Sequence, residues 1–180
     1  GKIRAIEYAR LHQVPYFGIC LGMQLAVIEY ARHQAKIPNA QSREFDPSAK
    51  DAVIDYLEDQ KSLTIKGGTM RLGAQPCQLV VGSKAGQFYG SFVINERHRH
   101  RFEVNNEYRA ALEQAGMLVS GQSPDGRLVE IVELPGHPWF VASQFHPEFK
   151  SRPDRPHPLF LGFVRAAIGS GERPITVPVA

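Results

Sequence analysis

The chain has 180 residues, of which 43% are apolar and 22% charged, with 21 basic and 18 acidic side chains and a formal net charge of +3. These values are typical of one globular domain and exclude collagen-like, intrinsically disordered and disulfide-scaffold proteins. With two cysteines and no run of about 20 apolar residues, the sequence offers no disulfide framework, no CxxC zinc pair and no membrane-spanning helix.

The N-terminal part of the chain alternates between helical and extended patterns. Apolar residues at helical spacing predict a helix over Lys2–Leu11, and the apolar run 14–19 predicts a buried strand. The spacing i, i+3, i+4, i+7 predicts a second helix over 21–34. This helix–strand–helix order predicts a layered α/β fold. Because the first helix follows Gly1 directly, with no methionine before it, we expect the sequence to be a piece of a longer protein.

Shorter elements are predicted in the rest of the chain. Strands are predicted at 52–54, 77–81, 118–121, 128–133 and 139–145, with an extended stretch at 92–106. Helices are predicted at 107–115 and 159–168, and glycines or prolines mark the turns, as at 67–68. Since no repeat or linker interrupts the pattern, one domain over residues 1–180 is the simplest organisation.

Cys20 occupies the sharpest local motif. It lies between Gly18 and Gly22 in a G-x-C-x-G pattern, where the predicted strand ends and the second helix begins. The same pattern with serine forms the strained nucleophile elbow of hydrolases, in which small flanking residues keep the tight turn free of clashes. The helix N-terminus predicts a lowered pKa for the Cys20 thiol. A buried structural cysteine is the alternative, and it is the better interpretation of Cys77, which lies on a strand pattern.

His146 is the candidate base for this thiol. It follows the strand that ends at Phe145, and Pro147 and Glu148 come next. A cysteine nucleophile needs a base, and Glu148 is close enough in sequence to orient the imidazole. Sites in open α/β sheets lie at the carboxyl ends of strands, so we expect Cys20 and His146 to meet there. A turn histidine beside a solvated glutamate is the alternative.

Arginine and histidine alternate over residues 97–101, the densest positive stretch of the chain. On a strand, the three arginines lie on one face and the two histidines on the other. The arginines suit nucleotide phosphate, nucleic-acid phosphate or a carboxylate, and a solvated strand face stays open as an alternative. Nucleic acid is the weakest interpretation, because no aromatic platform or second basic stripe accompanies the run.

Together these motifs resemble those of class I (triad) glutamine amidotransferases. The elbow and the segment 146–148 (HPE) specify only that superfamily. The segments that are similar to the amidotransferase domains of the CTP synthase family are 67–73 (GGTMRLG), 97–105 (RHRHRFEVN), 138–140 (PWF), 149–153 (FKSRP) and 157–160 (HPLF). The likeness covers residues 1 to about 167 and implies a flavodoxin-like layered α/β sheet with flanking helices.

The resemblance also implies roles for individual residues. Cys20 would attack the side-chain carbonyl of glutamine to give a thioester and ammonia, with His146 as acid and base and Glu148 as its orienter. Leu21 would offer a backbone N–H to the oxyanion. The residues implied to bind L-glutamine are Leu21, Gly22, Met23, Gln24, Glu44 and Arg101, with Glu44 on the ammonium and Arg101 on the carboxylate. No metal or cofactor is implied in this domain.

In that family the ammonia passes to a synthase domain, which uses ATP and Mg²⁺ to convert UTP to CTP. The resemblance thus implies a synthase partner, GTP as allosteric activator, a cytoplasmic homotetramer, and no nucleic-acid or membrane partner. The loop 67–73 is the candidate GTP-responsive element. The synthase domain and a glycine-rich oxyanion loop would precede Gly1, so we expect an N-terminally truncated domain that lacks one oxyanion donor.

Two other functions remain as alternatives. A stand-alone cysteine hydrolase of γ-glutamyl substrates would share the elbow and His146, but it would not need segments 67–73 and 97–101. A non-catalytic interaction module, or one that binds nucleic acid, would use Cys20 only structurally. Such a module predicts that Cys20 does not react with an electrophilic glutamine analogue.

Overall fold

The structure, a computed structural model, describes residues 1–56 and 70–169 of the chain. Its helices are α1 (Lys2–Leu11), α2 (Leu21–His33), α3 (Lys84–Tyr89), α4 (Arg109–Gln114) and α5 (Pro158–Ala167), with 3-10 turns at Asn106–Tyr108 and Pro147–Phe149. Its strands are β1 (Tyr16–Ile19), β2 (Gln41–Ser42), β3 (Ala52–Tyr56), β4 (Arg71–Leu79), β5 (Val93–His100), β6 (Phe102–Val104), β7 (Leu118–Gln122), β8 (Val129–Glu133) and β9 (Phe140–Ser143). None of the helices in these two ranges is long and apolar enough to cross a bilayer.

The strands form two sheets. A six-stranded sheet has the order β1-β9-β8-β7-β4-β5, and a three-stranded sheet has the order β2-β3-β6. In the large sheet β1 and β9 are parallel and the remaining neighbours are antiparallel. Short turns connect β7, β8 and β9, and a short turn favours antiparallel pairing. The predicted α/β class is confirmed, with a mixed sheet.

Helix α2 is the centre of the larger apolar cluster. Residues 23–31 are all buried, and α2 shares this cluster with Ile54 of β3 and Phe140 of β9. A helix that is covered on every side is held by packing rather than by an amphipathic stripe. A second cluster includes Trp139, Phe145 and Leu159 and lies beneath α5. The start of α2 is thus fixed between two packed layers.

Strand β4 differs from its prediction. Sequence patterns place a loop at 67–73 and a strand at 77–81, whereas β4 begins at Arg71. Residues 67–69 lie outside the described residues, so the candidate GTP-responsive loop is described only from residue 70 onward. β4 pairs continuously with β5, from Arg71 opposite His100 to Gln78 opposite Val93. This cross-strand pairing forms the strand despite Gly73, whose local preference is for a turn.

Helix α3 is absent from the sequence prediction, although the other described helices were expected within a few residues of their bounds. The Ser83 hydroxyl caps α3 by accepting a hydrogen bond from the Gly86 N–H at 3.0 Å. The buried Glu133 carboxylate of β8 accepts two more, from the N–H groups of Lys84 and Ala85, each at 2.9 Å. A carboxylate at a helix N-terminus satisfies otherwise unpaired donors. This partner is distant in sequence, so a local pattern does not reveal it.

Candidate active site

The chain reverses from β1 into α2 at Cys20. The φ of 52° and ψ of −105° at this residue lie outside the conformations that non-glycine residues usually adopt. Its backbone N–H donates to the Ser143 carbonyl at 2.7 Å, which ties the turn to the end of β9. A strained residue held in this way by its surroundings is typical of a nucleophile elbow.

The two glycines of the elbow differ in how strictly they are required. A Cβ on Gly18 would lie 2.7 Å from the Tyr16 hydroxyl and 2.9 Å from the Ala142 Cβ, so no side chain fits there. A Cβ on Gly22 would meet only the Tyr16 hydroxyl, at 3.4 Å, which is ordinary contact. The predicted steric need for glycine therefore holds at Gly18 and is wrong for Gly22.

His146 follows β9 and faces the same edge of the sheet as Cys20. Because β1 and β9 are parallel neighbours, with Ile19 opposite Ser143, the residues that follow them emerge side by side. The His146 N–H donates to the Arg97 carbonyl at 2.8 Å, which holds the backbone beside β5. The imidazole Nδ1 lies 2.6 Å from Glu148 Oε1. In the described part of the chain Nε2 is shielded and has no hydrogen-bond partner, so it can exchange a proton with a neighbouring group.

A cavity of about 270 Å³ opens beside the thiol. Its lining residues are Cys20, Leu21, Gln24, Glu44, Met70, Arg99, His100, Arg101 and Phe102. Glu44 supplies a negative charge and Arg99 and Arg101 supply positive charges. A cavity with opposite charges suits a zwitterion such as a free amino acid, whose carboxylate pairs with a guanidinium.

The sequence-predicted substrate residues divide into two groups. Four of them line the cavity, namely Leu21, Gln24, Glu44 and Arg101. The remaining two, Gly22 and Met23, are not among its lining residues. The Gly22 carbonyl accepts a hydrogen bond from the Tyr16 hydroxyl at 2.8 Å, and Met23 is fully buried in the core beneath α2. Because of their positions on α2, both residues face away from the cavity and contact the surrounding fold instead.

The electrostatics at Cys20 differ from the sequence expectation of a lowered pKa. Burial raises the pKa of the Cys20 thiol, and the charges of Glu44 and Glu148 raise it further. The backbone N–H of Leu21 opposes this shift by hydrogen bonding to the sulfur. Burial and these two carboxylates together outweigh the hydrogen bond from Leu21 at the start of α2. In this arrangement Cys20 rests as the neutral thiol and needs a base to become a nucleophile.

Gln144 is a site residue that sequence analysis did not single out. Its side chain is fully buried between β9 and His146, and its Nε2 lies 3.8 Å from the Cys20 sulfur. Its Oε1 accepts a hydrogen bond from Gln24 Nε2 at 3.2 Å. A polar residue inside the apolar run 140–145 was the available signal, because buried amides need partners.

A buried cluster of charged and titratable groups lies next to the cavity. Arg71 Nη2 is 2.5 Å from Glu130 Oε1, and Arg71 Nη1 is 3.6 Å from Glu103 Oε1. The rings of His98 and His100 are joined by a 2.9 Å contact between Nδ1 and Nε2. Burial lowers the pKa of His98 to about 2 and that of His100 to about 3, so both imidazoles are neutral. His100 also lines the cavity, so the cluster reaches the cavity at this residue.

Comparison with known proteins agrees with this geometry. The chain belongs to the class-I glutamine amidotransferase family, which it matches over residues 1–166. Within that family it is similar to the CTP synthase of Herpetosiphon aurantiacus, with 61% identity over 93% of this chain and 32% of the relative. It is also 59% identical to the CTP synthase of Rubrobacter xylanophilus, over 100% of this chain and 33% of that protein.

A solved structure shows the same fold. The glutaminase domain of Trypanosoma brucei CTPS with bound acivicin matches with a TM-score of 0.86 and 39% identity, over 93% of this chain and 65% of that chain. This confirms the predicted amidotransferase fold. The chain spans about a third of the length of the curated relatives it matches.

Proposed function

We propose that this chain is the glutaminase part of a glutamine-hydrolysing CTP synthase. It releases ammonia from L-glutamine, and a synthase part uses that ammonia to aminate UTP to CTP. The observation that carries the proposal is the grouping of Cys20, Glu44 and Arg101 around one cavity. The similarity to CTP synthases over 93% of the chain gives further support.

The reaction begins with proton transfer. His146 Nε2 takes the thiol proton of Cys20, and the sulfur attacks the side-chain amide carbonyl of glutamine. The negative charge that develops on the carbonyl oxygen is stabilised by the Leu21 N–H. His146 then gives its proton to the amide nitrogen, which leaves as ammonia, and a thioester to Cys20 remains. Water, deprotonated by His146, attacks the thioester, so glutamate and the free thiol are formed.

Glu148 and three cavity residues prepare this chemistry. The Glu148 carboxylate lies 2.6 Å from His146 Nδ1, fixes the tautomer that leaves Nε2 free, and stabilises the imidazolium. Arg101 pairs with the substrate α-carboxylate and Glu44 with the α-ammonium. Gln24 lines the same cavity. These contacts hold the side-chain amide of glutamine at the thiol.

The synthase reaction involves groups outside this site. ATP and Mg²⁺ act in the synthase part, GTP activates the glutaminase, and the whole protein is a cytoplasmic homotetramer in this proposal. No metal or cofactor is proposed at Cys20. Among the described residues, one group of side chains could hold a metal ion, Glu7, Glu29 and His33; it belongs to α1 and α2, and both oxygens of Glu29 already accept hydrogen bonds from Arg10.

The test is replacement of Cys20 by alanine in the full-length protein. Cys20→Ala is expected to reduce ammonia release from glutamine about 10⁴-fold or more, because the nucleophile is lost. CTP formation from externally supplied ammonia should continue. The matched control is Cys77→Ala, which removes the buried thiol of β4 and should keep glutaminase activity. Glutaminase activity that survives in Cys20→Ala would overturn the proposal.

A further inference from the structure

Cys20 is surrounded by groups that disfavour its thiolate. The thiol is largely buried, and the carboxylates of Glu44 and Glu148 raise its pKa further. The sulfur also lies 4.0 Å from the Arg99 carbonyl, an acceptor that suits the neutral S–H but not the anion. A thiolate formed here therefore needs hydrogen-bond donors aimed at the sulfur.

Two donors of the described residues reach the sulfur. One is the backbone N–H of Leu21, which lowers the thiol pKa. The other is Gln144 Nε2, at 3.8 Å from Sγ. Arg101 lines the same cavity, and the proposed function assigns its guanidinium to the substrate carboxylate. Gln144 is therefore the side-chain donor that is in place before any substrate arrives.

The direction of the Gln144 amide is fixed by a chain of hydrogen bonds. The Phe102 carbonyl can only accept, so Gln24 must turn its Nε2 towards it, at 2.9 Å. The second hydrogen of that Nε2 then points at Gln144 Oε1, at 3.2 Å. Because Oε1 of Gln144 is occupied in this way, its Nε2 faces Cys20. The orientation follows from a backbone carbonyl and not from a free choice of amide flip.

The backbone around Gln144 is also held. Its N–H donates to the Glu130 carbonyl of β8 at 2.8 Å, and its side chain has no exposed surface. The residue before it, Ser143, accepts the Cys20 N–H, so main chain and side chain of this segment both contact the nucleophile. Such a rigid donor needs no reorganisation when charge develops on the sulfur.

We propose that Gln144 is a further catalytic residue of this site, whose amide N–H stabilises and aims the Cys20 thiolate while its Oε1 connects the nucleophile to Gln24 in the substrate cavity. This inference deepens the proposed glutaminase function and rests on it. No bond is made or broken at Gln144. In each turnover the proton moves from Cys20 to His146, and Gln144 only donates a hydrogen bond to the anion that remains.

The test is the pH dependence of Cys20 alkylation by iodoacetamide in the full-length protein. The thiolate displaces iodide, so the rate of labelling reports the thiolate fraction, and mass spectrometry of the Cys20 peptide separates it from other cysteines. Gln144→Leu keeps the approximate shape but removes the donor. We expect its alkylation midpoint to shift about one pH unit upward, with labelling about tenfold slower at a fixed pH below the midpoint.

A second variant covers the case in which Gln144→Leu fails to fold. Gln144→Glu is nearly isosteric, and it replaces the donor with a charge that repels the thiolate, so its upward shift should be larger. The matched control is Gln122→Leu, which changes a glutamine of β7 whose Oε1 accepts from Arg109 at 2.9 Å. Its midpoint should equal that of the wild type.

The outcomes separate this inference from the proposed function. If both Gln144 variants alkylate with the wild-type midpoint while Cys20→Ala abolishes glutaminase activity, Gln144 has only a packing role and the inference is overturned. If Cys20→Ala keeps glutaminase activity, the proposed function fails, whatever Gln144 does to the thiol. An upward shift together with a lowered kcat for glutamine hydrolysis and unchanged use of ammonia supports both.

Discussion

Two properties of Cys20 determine how it can act as a nucleophile. Its backbone is strained and fixed, yet its surroundings keep it protonated, because burial and nearby carboxylates raise the pKa. A resting thiolate would be open to oxidation, whereas a neutral thiol is inert until a base removes its proton, the role proposed for His146. In the proposed mechanism, activation therefore depends on the pair of His146 and Glu148, whose Nδ1 and Oε1 lie 2.6 Å apart.

Replacement of Glu148 tests that pair. Glu148→Gln keeps a hydrogen-bond acceptor for Nδ1 but removes the charge that stabilises the imidazolium. We expect kcat for glutamine hydrolysis to fall about 10²-fold to 10⁴-fold, with little change in KM. Steady-state ammonia release measures both. Glu107→Gln, at an exposed position, is the control, and an unchanged kcat in Glu148→Gln would show that Glu148 does not act through His146.

Replacement of Arg101 tests substrate binding. Arg101→Ala should raise the glutamine KM about 10-fold to 100-fold, because one charge-assisted hydrogen bond to the carboxylate is lost. Use of external ammonia for CTP formation should stay intact. Arg97→Ala, an exposed arginine of β5 outside the cavity lining, should leave KM unchanged. Loss of both the glutamine-dependent and the ammonia-dependent reactions in Arg101→Ala would instead indicate misfolding.

At the scale of elements, the sequence predictions succeeded where a local pattern determines the structure and failed where long-range contacts determine it. Helix α1 and helix α2 were predicted to within about one residue, since their apolar periodicity is local. The start of β4 was wrong, because only its pairing with β5 overrides Gly73. The cavity lining was predicted for Gln24, Glu44 and Arg101 through family resemblance. Gln144 was missed, since its role depends on contacts that no spacing rule describes.

The cap on α3 by Glu133 gives a prediction at this scale. Glu133→Ala removes the acceptor of two backbone hydrogen bonds and leaves both donors inside the fold. The free energy of unfolding should fall by about 1–3 kcal/mol per unsatisfied donor. Thermal and denaturant unfolding measure it. Glu113→Ala removes an exposed partner of Arg109 and should change stability by less than about 1 kcal/mol. Equal losses in the two variants would contradict the cap.

At the scale of the whole molecule, the buried charged cluster links four strands of both sheets. The cluster consists of Arg71 from β4, His98 and His100 from β5, Glu103 from β6 and Glu130 from β8. Burial raises the pKa of Glu103 to about 8, a shift that Glu130 increases and Arg71 opposes. The folded state therefore holds a proton on Glu103 that the unfolded chain releases at a much lower pH. Sequence spacing does not predict this, because the residues become neighbours only in the folded sheets.

The pH dependence of stability tests the cluster. Because the pKa of Glu103 is raised on folding, its contribution is fully present below about pH 4.3 and is lost as the pH rises to about 8. Glu103→Gln cannot release a proton. The stability difference between this variant and the wild type should therefore move in favour of the variant from pH 4.5 to 8, by at most about 1.4 kcal/mol per pH unit.

Denaturant unfolding across that pH range is the measurement. In the folded state His98 and His100 stay neutral across this pH range, and in the unfolded state they titrate alike in both proteins, so they do not contribute to the difference. Glu107→Gln is again the control, because an exposed carboxylate should give a difference that is flat with pH. A flat difference for Glu103→Gln as well would show that Glu103 is ionised in the folded protein.

The pairing of β1 with β9 has a consequence for biosynthesis. A ribosome makes Cys20 early and His146 late, although the two residues follow neighbouring strands. A nascent chain that has emerged only as far as β8 carries the thiol without its base, without Gln144, and without the Ser143 carbonyl that holds the Cys20 N–H. In the proposed mechanism, glutamine hydrolysis therefore starts only when β9 is inserted between β1 and β8. On the proposed function, the order of translation keeps a growing polypeptide from consuming glutamine.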